Sequence, residues 1–381
     1  MFGGPEERSK SRNGHALGPL LAPRLPSCVV TPTWFCFRDL TESGFSLQTP
    51  TLVILGGRDA RTQDIAARLC GFVTRELGVP PDVPVFSVCY ESDVLDDSQF
   101  QPYLAEYYAR GAASRLACAA ALVAQSIVES HIAPLIPDLR GVTNSSQRAA
   151  KVMEVTSRFR NLTLFGFSLG SIILNAIDRE LHRFLLQRGY EPSEAAQVSG
   201  YLVIITVGDV AFGRIRNPES DAMWRIPAIS VASTLDIFAS PTLVGFLPRK
   251  KKNFYRARAS CVGVRKRIAI TAPVAHDWQS ISETRNRDEL GVVTVIENRD
   301  PTGHTPSVYL KLKVGAARNS LLIPVIVREL LHAMLDPKQR PFEPLQWFNN
   351  PNPTSLLYPY FHERLEELVH QLNASKIGRR E

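Results

Sequence analysis

The residues best suited to chemistry lie in one short segment, residues 166–170, which reads GFSLG and has the pattern G-x-S-x-G. An apolar run at 162–165 precedes it, and afterwards apolar residues recur at the three- and four-residue spacing of an amphipathic helix. A serine between a strand and a helix occupies a sharp turn where crowding favours glycine. The spacing predicts that Ser168 is a nucleophile at the tip of this turn, the elbow, with Gly166 and Gly170 as its small residues.

The elements around the elbow decide whether the motif is more than a chance match, because a serine in a turn is usually only a turn residue. Continuous apolar runs alternate with amphipathic stretches along the chain, which indicates an α/β fold with a mostly parallel central sheet and helices on both faces. The predicted strands are 29–37, 45–48 (in a hairpin with the first), 51–55, 83–90, 162–165, 201–207, 226–235, 267–272 and 291–296. The predicted helices are 62–77, 100–132, 145–160, the one after the elbow, 320–335 and 360–372.

In this element order the chain resembles an α/β-hydrolase over roughly residues 29–335, with the elbow as the sharp motif. The resemblance implies a serine hydrolase that needs no cofactor and no metal. It also implies that the acid and the histidine of a catalytic triad follow the serine along the chain, each on a loop after a later strand.

Two pairs of residues compete for these roles. Asp236 follows the strand at 226–235 and is the predicted acid, with Asp209, after the preceding strand, as the alternative. His304 follows the strand at 291–296 and is the predicted general base, with His276 as its rival. The triad predicted from the resemblance is therefore Ser168, Asp236 and His304.

An oxyanion hole requires two backbone N–H donors aimed at the developing negative charge. The resemblance places one on Leu169, the residue after the nucleophile, and the other on Gly57 or Arg58, after the strand at 51–55. Leu55 stands where esterases commonly have a histidine. The glycine pair also suits a dinucleotide loop, but the G-x-G-x-x-G pattern is missing, so NAD binding is not expected.

Composition is that of a globular protein, with 44% hydrophobic and 21% charged residues. The longest apolar run, residues 116–124, is half the length of a membrane span and predicts a helix packed in the core. Six scattered cysteines without a C-x-x-C pattern suggest reduced thiols, not a disulfide framework or zinc site. We therefore expect a cytoplasmic protein, although a cleaved leader stays open.

The net charge of +7 is concentrated in residues 249–267, which carry nine Lys and Arg and no acid, with Phe254 and Tyr255 among them. This basic run fits a solvated insertion, or a site for an anionic partner such as a phospholipid surface or a phosphorylated or CoA-bearing substrate. Nucleic acid is not the expected partner, because the rest of the chain is near neutral.

The domain organisation follows from these patterns. Residues 1–27 are predicted to be a disordered leader, 28–335 one α/β-hydrolase-like domain with the basic insertion near 245–270, and 336–381 a loop and helix packed on that domain. The predicted function is a serine esterase, lipase-like, that cleaves an ester-type acyl substrate through an acyl-enzyme on Ser168. The alternatives are a non-catalytic scaffold that binds an anionic partner and an acyltransferase that uses the same serine.

Overall fold

The computed structural model describes residues 30–38, 44–57, 60–92, 94, 103–104, 106–107, 113–208, 210, 228–233, 268–271, 280–281, 293–297, 306–310, 327–328, 331–332 and 334–336. The predicted leader, the basic run and the last predicted helix, 360–372, lie outside these residues. Everything structural below concerns the described part of the chain.

Nine strands and six α-helices build the described part. The strands are β1 Val30–Arg38, β2 Thr51–Leu55, β3 Val85–Ser92, β4 Leu162–Phe167, β5 Val203–Val207, β6 Ala228–Ser233, β7 Ile268–Thr271, β8 Ser280–Ile281 and β9 Val293–Glu297. The helices are α1 Gln63–Glu76, α2 Arg115–Ile127, α3 Ser145–Phe159, α4 Gly170–Gln187, α5 Pro192–Gly200 and α6 Pro306–Leu310.

All nine strands join one sheet in the order β1-β3-β2-β4-β5-β6-β9-β7-β8. Only the outer pairs, β1 with β3 and β7 with β8, are antiparallel. From β2 the chain crosses by α1 to β3 on one side, whereas from β4 it crosses by α4 and α5 to β5 on the other. Because such crossovers are right-handed, α1 and α4 cover opposite faces of the sheet. The prediction of a mostly parallel sheet with helices on both faces is confirmed.

Local sequence signals define the helix ends nearest the site. The Thr62 side chain accepts a hydrogen bond from the Ile65 N–H at 3.4 Å and caps the start of α1. The same helix ends at Leu77, followed by Gly78 at a φ of 64°, a left-handed conformation that glycine adopts at little cost. The predicted helix 62–77 therefore corresponds to α1, Gln63–Glu76, together with its two capping residues.

Helix α2 runs on through a π-helical turn, Val128–Ile132, and a 3-10 turn, Ala133–Leu135. The stretch from Arg115 to Leu135 has 21 residues and a mean hydropathy of 1.5, enough by length and composition alone to cross a membrane. Here 61% of it is buried inside the protein, and α2 packs against α4. The prediction that this apolar run packs in the core is confirmed.

The predicted strand at 45–48, and with it the hairpin to the first strand, is wrong. Residues 44–50 form no strand, and β1 pairs with β3 instead. Leu47 has a φ of 57°, outside the β region, and its side chain is buried in the core. The Asn161 side chain donates a hydrogen bond to the Leu47 carbonyl oxygen at 2.9 Å, so this segment pairs with a side chain and not with a strand.

The described residues between 327 and 336 pack against the opposite end of the sheet from the elbow. Leu331 and Met334 are fully buried. The Thr163 hydroxyl, at the start of β4, donates to the Met334 carbonyl oxygen at 3.3 Å. The Nε2 atom of His332 lies 2.8 Å from the carbonyl oxygen of Leu77, the residue that ends α1. These contacts tie the late chain to the first helix and to the strand that carries the elbow.

Candidate functional site

Ser168 stands between the last residue of β4 and the first residue of α4, with a φ of 54°. This left-handed conformation costs an L-residue about 1–2 kcal/mol. The side chain is only 4% exposed. Strain of this kind persists only where the surroundings enforce it, and it is concentrated at functional sites.

Hydrogen bonds hold the elbow from both sides. The Ser168 N–H donates to the carbonyl oxygen of Val207, the last residue of β5, at 3.1 Å. The Ser168 carbonyl oxygen accepts from the Ser171 N–H at 3.0 Å and from the Ser171 hydroxyl at 2.6 Å. Strand β5 and the first turn of α4 therefore each fix one side of the serine's backbone in its strained conformation.

The two glycines of the elbow are required for space. A Cβ atom on Gly170 would lie 2.3 Å from the Leu55 carbonyl oxygen, and one on Gly166 would lie 2.6 Å from Cδ1 of Leu174. The first clash is with backbone at the end of β2, which cannot move aside. Glycine at these positions lets the start of α4 approach the ends of the neighbouring strands.

The elbow lies at the point where the direction of strand addition reverses. From β2 the chain passes to β3 on one side, while β4 pairs with β2 on the other. In open α/β sheets, ligands bind beyond the carboxyl ends of the strands at such a switch point. Here the residues that follow the two central strands, Gly57 and Ser168, meet: a Cβ on Gly57 would lie 3.2 Å from Cβ and 3.6 Å from Oγ of Ser168.

The backbone around Ser168 can stabilise negative charge. Leu169, with helical backbone angles and a fully buried side chain, caps the start of α4. The N-terminus of a helix carries about half a positive charge and presents unpaired N–H groups. Of the predicted oxyanion donors, Leu169 and Gly57 therefore flank the serine, and Arg58 lies outside the described residues.

Sequence reasoning missed Tyr90, a fully buried residue of β3. Its hydroxyl lies 2.9 Å from the carbonyl oxygen of Gly56 and 2.8 Å from that of Gly57, so it donates to this pair of carbonyls. A tyrosine near the end of an apolar strand gives no sign of where its hydroxyl reaches. The only available signal was that a buried tyrosine hydroxyl requires a partner.

The predicted acid and base, Asp236 and His304, and their alternatives, Asp209 and His276, all lie outside the described residues. Their roles stay predictions. Helix α6 begins at Pro306, two positions after His304 in the sequence, and it approaches the elbow. In this helix the Tyr309 ring lies 6.3 Å from the Phe167 ring, centroid to centroid. Helix α6 also contacts α1.

Other reactive groups in the described part do not form a competing site. Cys36, Cys70, Cys89 and Cys118 are not disulfide-bonded. Burial raises the pKa of the Cys70 thiol to about 12, which keeps it protonated and unreactive near neutral pH. No cluster of three or more His, Cys, Asp or Glu suited to a metal ion occurs among the residues that the structure describes.

Comparison with known proteins was made by sequence and by structure. No protein-family model and no curated protein matches the chain. Among solved structures, the chain is similar to a presumed carboxylesterase from Lactobacillus plantarum, at 13% identity and a TM-score of 0.26 over 62% of this chain and 82% of that one. It is also similar to a presumed dienelactone hydrolase from Klebsiella pneumoniae, at 9% identity and a TM-score of 0.25 over 71% and 86% of the two chains.

The described fold is α/β-hydrolase-like, with a mostly parallel sheet and helices on both faces. The serine-bearing turn follows a central strand of a mostly parallel sheet, a helix starts directly after it, and the loop of the adjacent strand lies against the serine. These features belong to the chain's own geometry and do not depend on either similarity.

Proposed function

We propose that this chain, with its α/β-hydrolase fold, is a serine hydrolase that forms an acyl-enzyme on Ser168. The observation that carries the proposal is the strained backbone of Ser168, held at the switch point of the sheet against Gly57 and the start of α4. A serine fixed in this way presents its hydroxyl between two sources of backbone N–H donors.

In the proposed reaction the Ser168 hydroxyl attacks the acyl carbonyl carbon while the imidazole of His304 takes the hydroxyl proton. The carbonyl oxygen becomes an oxyanion, which the Leu169 N–H and an N–H of the Gly57–Arg58 pair stabilise. The imidazolium then gives its proton to the departing alkoxide, which leaves an acyl-enzyme. Water repeats the two steps and releases the acid and the free serine.

The strand order supports His304 over His276 as the base. Strands lie about 4.8 Å apart, so β7, four strands from β4, is about 19 Å away, close to the full reach of the five residues from Thr271 to His276. In contrast, His304 is two residues, or about 7 Å of chain, from Pro306 at the start of α6. The contact of α6 with Phe167, next to Ser168, therefore favours His304.

The proposed acid, Asp236, orients the imidazole and stabilises its positive charge. It comes three residues after Ser233, the end of β6, which lies two strands, or about 10 Å, from β4. Asp209 comes two residues after the end of β5, next to β4, and remains the alternative acid. Both follow the carboxyl ends of strands at the edge of the sheet that carries Ser168.

The proposed substrate class is a carboxylic ester, lipid esters included, because acyl transfer to a serine is the chemistry that the elbow serves. In the transition state the negative charge develops on the acyl oxygen, and the two backbone donors match it without a metal. An alcohol acceptor in place of water would make the protein an acyltransferase with the same first step.

A fluorophosphonate probe tests the nucleophile and the base. We expect the full chain to be labelled, Ser168→Ala to be unlabelled, and His304→Ala to be labelled at least about 100-fold more slowly, as expected when a general base is lost. Mass spectrometry of the adduct would identify Ser168 as the labelled residue.

The matched control is His276→Ala, which should be labelled at the rate of the unchanged protein. If His276→Ala blocks labelling and His304→Ala does not, His276 is the base. If the unchanged protein and Ser168→Ala are equally unlabelled, the chain is a scaffold and not a serine hydrolase. Incubation with an ester and a fatty alcohol separates hydrolysis, which releases free acid, from transfer, which forms a new ester.

A further inference from the structure

The Tyr90 side chain holds the described part of the loop that lies against the nucleophile. We call its described residues, Gly56, Gly57 and Ala60, the glycine turn. The hydroxyl of Tyr90 lies within hydrogen-bond distance of two consecutive carbonyl oxygens of this turn, at 2.9 Å from Gly56 and 2.8 Å from Gly57. Tyr90 and Gly56 are buried, and Gly57 is half-buried.

The backbone of the same residue holds the other end of the glycine turn. The Tyr90 N–H donates to the Ala60 carbonyl oxygen at 2.9 Å, and the Ala60 N–H donates to the Gly57 carbonyl oxygen at 3.0 Å. Tyr90 therefore binds the turn at its start by the hydroxyl and at its end by the main chain. Since β3 is paired along its length with β1, and over Val85–Val88 also with β2, this attachment point is rigid.

The orientation of the Gly56 carbonyl sets the direction of the Gly57 N–H. A trans peptide points its N–H away from its carbonyl oxygen, and none of the described peptides is cis. The Gly56 carbonyl shares a peptide plane with the N–H of Gly57. A hydroxyl that holds this carbonyl on the Tyr90 side therefore directs the Gly57 N–H away from Tyr90. The position of a Cβ on Gly57, 3.2 Å from Cβ of Ser168, shows how near this backbone is to the nucleophile.

We propose that Tyr90 is a positioning residue for oxyanion stabilisation: its hydroxyl orients the glycine turn so that the Gly57 N–H faces the oxyanion formed at Ser168. The proposal rests on the function proposed above. It assigns Tyr90 no contact with the substrate and no role in proton transfer.

The test is Tyr90→Phe in the full chain, which removes the hydroxyl and keeps the ring in the core. With p-nitrophenyl butyrate as substrate we expect kcat to fall about 10- to 100-fold, because a misaligned donor loses much of the stabilisation that one oxyanion donor provides. KM should change by less than about twofold, since the ground-state ester carries no oxyanion. The affinity for a trifluoromethyl ketone, which forms an anionic tetrahedral adduct on the serine, should fall by the same factor as kcat.

Tyr190→Phe is the matched control. Tyr190 is also buried, and its hydroxyl also donates to a backbone carbonyl oxygen, that of Pro137 at 3.3 Å, but this carbonyl belongs to the loop after α2, away from the elbow. We expect both variants to lose similar thermal stability and only Tyr90→Phe to lose kcat and ketone affinity.

The outcomes separate this proposal from the one on which it rests. If the unchanged protein is neither labelled by a fluorophosphonate nor active on the ester, the hydrolase proposal fails. If it is labelled and active, but Tyr90→Phe keeps kcat within twofold, the hydrolase proposal stands and the role of Tyr90 is overturned. An equal loss of kcat in Tyr190→Phe, or a rise in KM in place of the fall in kcat, would overturn it as well.

Discussion

At the scale of single residues, the conformation of Ser168 carries a measurable cost. Its φ of 54° is unfavourable for any side chain with a Cβ, and three hydrogen bonds to β5 and α4 maintain it. The folded state therefore stores strain in the backbone of the residue that serves as the nucleophile in the proposed reaction.

Two substitutions that both remove the hydroxyl should separate strain from chemistry. Relative to Ser168→Ala, we expect Ser168→Gly to be more stable by about 0.5–1 kcal/mol, because relief of the left-handed conformation outweighs the entropy that glycine loses on folding. Neither variant should react with a fluorophosphonate. Urea denaturation of both proteins measures the difference, and a Ser168→Gly variant less stable than Ser168→Ala would show that the backbone at 168 is not strained.

Residue spacing could predict the elbow because its requirement is local: a strand, two glycines around a serine, and a helix. Tyr90 could not be predicted in this way. Its contact with Gly56 and Gly57 joins residues 34 and 33 positions apart, and it exists only because β3 and β2 pair in one register. The left-handed φ of Ser168 was implied by the motif, but the bond from its N–H to Val207 depends on β5.

At the scale of elements, α4 can start beside Ser168 only because its first residue has no side chain. A Cβ on Gly170 would lie 2.3 Å from the Leu55 carbonyl oxygen and 3.1 Å from that of Gly56. Both atoms are backbone at the end of β2, so the helix must withdraw from the strand if a Cβ is added.

Gly170→Ala and Gly71→Ala, both within helices, should therefore differ in their effects on stability and labelling. We expect Gly170→Ala to lower the free energy of unfolding by about 1–3 kcal/mol and to slow fluorophosphonate labelling, since the glycine turn is displaced with β2. A Cβ on Gly71, in α1, would meet only Phe37 at 3.4 Å, so Gly71→Ala should leave labelling unchanged and stability unchanged or raised by up to about 1 kcal/mol. Equal effects of the two changes on labelling would contradict the proposed contact.

Element prediction succeeded where one apolar pattern sufficed and failed where tertiary contacts decided. Strand β2 has the predicted bounds, since a continuous apolar run suits a strand covered on both faces. Residues 45–48, FSLQ, alternate apolar and polar side chains, yet the buried side chain of Leu47 and the bond from Asn161 to the Leu47 carbonyl hold them outside the sheet. Helix α5 was not predicted at all: it is short, and the start signal given by Pro192 in its first turn was missed.

At the scale of the molecule, the described residues at 327–336 close the end of the sheet opposite to the elbow. Val327, Leu331 and Met334 are fully buried, and the Met334 carbonyl accepts from Thr163 across 171 residues of sequence. This packing argues that the late chain and the sheet unfold together, as the predicted single domain at 28–335 requires.

Leu331→Ala tests whether the late chain and the sheet unfold together. We expect a loss of about 2–5 kcal/mol and one shared urea transition by far-UV circular dichroism and by tryptophan fluorescence. The control, Leu186→Ala on α4, removes a side chain that is 41% exposed and should cost less than about 1 kcal/mol. Two separate transitions in the unchanged protein would divide the chain into units that fold independently.

The central position of β4 also has a consequence during synthesis. Strand β2, which reads TLVIL, is buried along its whole length and pairs with β4, and the bond between Leu47 and Asn161 spans 114 residues. At about 5–20 residues per second, a ribosome needs roughly 6 to 23 s to make these 114 residues. During that time one edge of β2 has no partner strand. An uncharged segment of high β-propensity with an unpaired edge favours aggregation. The yield of this protein should therefore depend on chaperones that bind nascent chains.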